Sequence, residues 1–130
     1  QVIDVAIDIS VVLDASQNQG VVITNIIDKV TSFFSPVIRG MGQNVVLSEL
    51  NRIIQTENGV LSVNDISVFG KVGGQYSSAQ TSMPYLNSET KKISLVDNTI
   101  FAQPNQIYQI RYPNRDITVR TKNYQSIILT

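Results

Sequence analysis

The chain has no cysteine, no histidine and no tryptophan among its 130 residues. Disulfides, thiolate nucleophiles, imidazole bases and the common zinc sites are thereby excluded, leaving carboxylates, Lys, Tyr and hydroxyls for any chemistry. Charge is scarce as well: Asp, Glu, Lys and Arg make up 15% of the residues, against about a quarter in ordinary soluble domains. The formal net charge is zero, and a chain without cationic excess has no general attraction for nucleic acid or anionic lipid. No apolar run approaches the roughly 20 residues that span a bilayer, and no signal-peptide pattern follows Gln1. We therefore expect no nucleic-acid partner, no membrane, no cofactor and no enzymatic activity. A strand pattern beginning at the second residue, with no Met before it, leads us to expect a soluble piece of something longer.

What is present is patterned apolar sequence. Ile3, Val5, Ile7, Ile9, Val11 and Leu13 alternate with Asp4, Asp8 and Ser10, the signature of a strand with one buried and one wet face. After the polar turn Asp14–Gly20, Ile23, Ile26, Ile27, Val30, Phe33, Phe34 and Val37 recur at helical spacing, and Pro36 ends or bends that helix near Ser35. Arg39–Asn44 reads as a flexible joint, and Ser48 as the cap of a second helix with Leu47, Leu50, Ile53 and Ile54 as its stripe. Asn58-Gly59 tolerates the left-handed backbone that ends a helix, and Val60 starts a new strand. Its alternation slips at Asn64-Asp65, which predicts a bulge or short break.

The second half is less periodic. Gly70–Gly74 and Gln75–Glu89 read as a long loop or extended arm, with Val72–Pro84 as a second movable joint. Short β-prone runs follow at Ile93–Val96, Thr99–Ala102, Gln106–Tyr112, Asp116–Thr121 and Gln125–Leu129, which predict hairpins and a second small sheet. The fold class expected is α+β: two helices packed on a small sheet (β-α-α-β) over residues 1–69, then a β-rich extension over 70–130 packed on the same domain. Acids outnumber cations through Gln75 and the balance reverses after it, an asymmetry that can favour self-association or a fixed docking direction.

Constellations that suggest chemistry weaken on inspection. Asp4 and Asp8 stand about 13 Å apart along a strand, too far for a carboxylate pair, and read as solubilising positions. Gly70-Lys71 is followed by Val72 and preceded by Asp65 where a phosphate loop needs Gly, so it reads as a loop exit. Arg111, Tyr112, Arg115, Arg120, Lys122 and Tyr124 are the residues best suited to stacking bases and binding phosphates, but strand alternation splits Arg111 from Tyr112. Tyr108, Ile110 and Tyr112 share one face, either packed or a subunit contact, and with Arg111 and Arg115 they are the candidate interface.

The strand Val2–Leu13, the Gly20-led helix, Gly42 with Val45–Leu50, and Asn58-Gly59-Val60 together resemble the C-terminal part of baseplate J-like proteins over residues 2–69. Gly42 would permit the turn between helices, Leu50 would anchor the second, and Gly59 would end it. Many members finish soon after the Gly-Val strand, whereas this chain continues; that tail is similar to the larger baseplate wedge proteins of T-even-type contractile-tailed bacteriophages. The resemblance implies a structural protein of the virion's tail baseplate, in which copies join one another, as a homodimer or ring, and contact other baseplate wedge proteins. A carbohydrate- or receptor-binding module of a tail fibre or adhesin, using Tyr, Asn and Gln, is the competing expectation.

Overall fold

A computed structural model describes residues 1–35 and 40–124, with the side chains of 123 and 124 left aside. The expectations placed on Pro36, Val37, Arg39, Gln125–Leu129 and the Tyr124 ring lie outside the described residues. The molecule is a mixed α/β fold whose body is mostly sheet.

Strand β1 (Val2–Asp14) is its centre. Ile3, Val5, Ile7, Ile9, Val11 and Leu13 are each at most 1% exposed, so the alternating row is the floor of the core. Helix α1 (Gln19–Phe33) lays Val22, Ile26 and Val30 on that floor. Its cap is Asn18, whose Oδ1 accepts from the Val21 amide at 3.2 Å, rather than Gly20, which lies inside the first turn. Helix α2 (Leu47–Gln55) buries Leu47, Leu50 and Ile54, and its far end is tied to α1 where Asn25 Nδ2 donates to Glu57 Oε2 at 2.9 Å.

Ser48 does not cap α2: it is exposed one residue inside the helix, whose cap position is Val46 with no side-chain bond. The reason lies upstream. Strand β2 (Val45–Val46) pairs with β6 (Thr99–Ile100), so the extended backbone ends at Val46 and the helix must begin at once, with the Leu47 amide satisfied by the Asn98 carbonyl at 3.0 Å.

Strand β3 (Val60–Lys71) runs antiparallel to β1. Its register passes from Asp65 opposite Ser10 to Val63 opposite Val11, leaving Asn64 as the extra residue of the expected bulge, and a second slip leaves out Leu61. Gly59, just before it, has φ +97°, and a Cβ there would sit 2.8 Å from Val22 Cγ2. Gly42 has φ +75° and donates its amide to the Gln106 carbonyl at 2.7 Å. The joint is therefore pinned at this glycine, and Asn44 Oδ1 holds the Ala102 amide beside it.

The tail does not form a sheet of its own from hairpins. Strand β4 (Tyr85–Asn87) and β5 (Lys92–Ile93) make one hairpin that joins β3, in the order β4-β5-β3-β1. Strand β7 (Ile107–Gln109) and, after the single turn α3 (Pro113–Asp116), β8 (Ile117–Tyr124) both run parallel to β1 on its other flank. The two-stranded sheet β2-β6 likewise takes one strand from each half. Tail residues Ile93, Ile100, Tyr108, Ile110 and Ile117 complete the core floored by β1, Ile93 from beyond β3 and Tyr108 and Ile117 from the opposite flank.

Candidate functional site

The candidate site is built on the face of the sheet turned away from the helices. Asp4, Ala6 and Asp8 project there from β1, and Lys71 stands opposite Asp4 across the β1–β3 ladder. Asp4 is not the solubilising residue of a wet face: it is 0% exposed. The segment after β3 crosses over it, and the carboxylate accepts from the Ser77 amide at 2.7 Å and from Gln109 Nε2 at 2.8 Å. Bonds of this charged kind make burial of a carboxylate tolerable.

That crossing also corrects the reading of Val72–Pro84 as an open arm or joint. Ala79 and Met83 pack against the core, and Thr81 Oγ1 meets Tyr108 Oη at 2.6 Å. The segment is stapled to the sheet by Asp4 on one face and Tyr108 on the other. No 3.6 or 2.0 periodicity betrays such a segment, since it contributes single anchoring residues rather than a stripe.

Tyr76 carries the segment to α3. Its Oη donates to the Asp116 carboxylate at 2.9 Å and 3.1 Å, and Arg115 Nη2 donates back to Tyr76 Oη at 3.0 Å. The Arg115 guanidinium lies 4.3 Å from the Tyr112 ring centre and 5.6 Å from that of Tyr76, whose rings meet edge to face at 5.5 Å. Loss of solvent around the Tyr76 phenol pushes its pKa up; Arg115 opposes this and Asp116 reinforces it. The bond to Tyr76 raises Arg115 in turn, so at neutral pH the pair is a neutral phenol and a full cation.

Beside this cluster a cleft of 230 Å³ is lined by Asp8, Lys71, Thr90, Arg115, Asp116 and Thr118, among others. It adjoins one of 460 Å³ under Gly70–Tyr76, sharing Lys71 and Thr90 with it. Asp8 is occupied by Arg120 at 3.4 Å. The mixture of both charges and hydroxyls suits contact with a polar protein surface; among the described residues no group of three or more His, Cys, Asp or Glu is arranged to hold a metal ion.

The candidate interface divides. Tyr108 and Ile110 are core residues, 0% and 9% exposed, and the Tyr108 phenol is raised by burial while it donates to the Phe101 carbonyl at 3.0 Å. They cannot form a subunit contact. Arg111 and Arg115 are exposed and Tyr112 is half-buried, because β7 ends at Gln109 and the alternation expected through Tyr112 stops there. Tyr112 thereby faces Arg115 and Tyr76 instead of sharing a stacking platform with Tyr108. Of the structural positions, Gly42 makes a left-handed turn between the helices and Gly20 lies in the opening turn of α1; Gly59 does not end α2, which stops at Gln55 with Thr56 as its C-cap, but turns the chain into β3, and Ser48 does not act as a cap. Sequence reasoning missed Asp4, Tyr76 and Asp116; a lone aromatic in a Gly- and Ser-rich run, as Tyr76 is, was the available signal.

A scan of protein-family models finds none that matches this chain, and no curated protein gives a significant sequence match.

Proposed function

We propose that this domain is a non-enzymatic assembly module of the tail baseplate wedge of a contractile-tailed phage, joining copies of itself and neighbouring wedge proteins in the virion. In this reading β1, α1, α2 and β3 are the β-α-α-β core of the baseplate J-like type, β2 is a short addition between the helices, and residues 70–130 are an extension on the same domain. The observation that supports it is the agreement between the residues that carry the resemblance and those on which the chain turns. Gly42 has φ +75°, Leu50 is 0% exposed, and Gly59 has φ +97° with Val22 against it.

The mechanism is burial and register rather than chemistry. On the outer face Asp8 is engaged with Arg120, and Tyr76 with Asp116 and Arg115, so none of these five groups stands as an activated nucleophile or base. Large apolar side chains stand at the surface, including Leu86 at 67% and Met41 at 56% exposure, in a chain whose surface charge is low. Sedimentation across a dilution series tests the proposal. A dimer is expected, since twofold pairing is the commonest closed symmetry. A monomer that stays monomeric at high concentration and binds glycans on an array would replace it with the receptor-binding reading.

A further inference from the structure

The outermost strand on the β1 flank is unusual for an edge. Strand β8 pairs with β1 without a break from Ile117 opposite Ile7 to Tyr124 opposite Asp14, and among the described residues it has no strand on its other side. Natural sheets blunt such edges with shortness, proline, bulges or charged side chains, Lys above all. The opposite edge follows that rule: β4 has three residues and its pairing slips. Strand β8 has eight, ITVRTKNY, with no proline or glycine and no slip in register, so its guard is charge alone, Arg120 and Lys122. Its unpaired N–H and C=O groups form a regular template for a further strand.

The side chains along that edge say what can dock. Ile117 is buried and Val119 packs against the core, so Thr118, Arg120 and Lys122 take the outer face by strand alternation. The Arg120 side chain is 67% exposed and pairs with the rim carboxylate of Asp8 at 3.4 Å. Lys122 is exposed and pairs with no acid among the described residues. Two copies meeting edge to edge about a twofold axis, in the antiparallel registers centred on Arg120 or Thr121, would set Arg120 against Arg120 or against Lys122. Like charges directly opposite destabilise a ladder. The edge is thus open to strand addition, yet in the two registers that centre on its charged stretch it disfavours its own twin.

The geometry points to the free edge of β8 as the docking site for an extended acidic segment of a different protein, which adds to the sheet beside β8 with its carboxylates facing Arg120 and Lys122. Such docking does not depend on the baseplate assignment.

The test uses the whole chain with an eight-residue peptide alternating valine and glutamate, and a valine–lysine peptide as control, followed by amide hydrogen exchange and titration. Protection rising at alternate amides of 117–124 with the glutamate peptide alone, and affinity falling as salt rises, is the expected result. Lys122→Glu keeps the Asp8–Arg120 pair and should weaken the glutamate peptide about threefold while admitting the lysine peptide. The inference is overturned by equal protection with both peptides, by protection confined to another edge, by no protection at millimolar peptide, or by β8 amides already protected through self-association of the free chain.

Discussion

Removing the Asp4 carboxylate tests the central correction to the sequence reading. As a wet-face aspartate, its replacement by Ala would change stability by no more than about 0.5 kcal/mol. In the structure it is 0% exposed and holds two donors, the Ser77 amide at 2.7 Å and Gln109 Nε2 at 2.8 Å. Hydrogen bonds to a charged group contribute about 1.5–3 kcal/mol each, and donors left buried without a partner add to the loss. Asp4→Ala is therefore expected to cost about 3–5 kcal/mol, equivalent to roughly 10–15 °C in Tm for a domain of this size. Asp4→Asn should cost only about 1–2 kcal/mol, since its Oδ1 can still take the Ser77 amide while the Gln109 amide flips to accept from Nδ2. Urea unfolding gives both values. Native-state hydrogen exchange adds the location, with Ser77 and its neighbours opening first in Asp4→Ala. Equal and negligible losses in the two variants would refute the buried clamp and restore the solvated aspartate.

The remaining predictions separate residues that the sequence treats alike. Gly59→Ala should cost about 2–3 kcal/mol, because φ is +97° and the new Cβ would lie 2.8 Å from Val22 Cγ2. Gly20→Ala, in the first turn of α1 with its nearest atom at 3.5 Å, should instead stabilise by up to about 1 kcal/mol in the same denaturation assay. Asn18→Ala should lose about 1 kcal/mol by removing a real cap, whereas Ser48→Ala should stay within about 0.5 kcal/mol. Tyr108→Phe should lose about 1–2 kcal/mol at neutral pH by stripping the bonds to Thr81 and Phe101. Its alkaline behaviour carries a sign: a phenol raised by burial holds its proton more tightly in the folded chain. That contribution is full below the unfolded phenol value of about 10 and drains as pH climbs through the higher folded value. The parent should therefore lose stability more steeply than Tyr108→Phe in unfolding curves taken above that pH.

How far the sequence reads depends on the range of the interaction. The buried row of β1 and the extra residue at Asn64 are local periodicities that stand where their patterns put them, whereas the stripe of α1 holds at Ile26 and Val30 but is turned toward Val22, leaving Ile23, Ile27 and Phe33 half-buried at its margin. Ser48 was misread because the start of α2 is fixed by β2, and β2 exists only through its pairing with Thr99 and Ile100. Alternation tells which side Asp4 faces but not that residues 75–77 will cover that side. Likewise, the β-prone runs at 106–112 and 116–121 announce strands without naming a partner, and turn residues between them favour a hairpin reading. The core of β1 overrides it by drawing both alongside in parallel. Tyr112 and Arg115 came from the sequence as isolated candidates; their joining to Tyr76 and Asp116 spans some forty residues of chain and has no local signature.

The parallel pairing of β8 with β1 has a temporal consequence. During synthesis the greasy row from Ile3 to Leu13 is made about a hundred residues ahead of the strands that close its second flank, β7 from Ile107 beside its start and β8 from Ile117 beside the rest. Until then the nascent polypeptide must carry an open, aggregation-prone ribbon, and closure is a slow, high-contact-order event. A ribosome that stalls before Ile117 yields not a smaller version of this protein but one whose first strand is left bare along one side from Ile7 to Asp14.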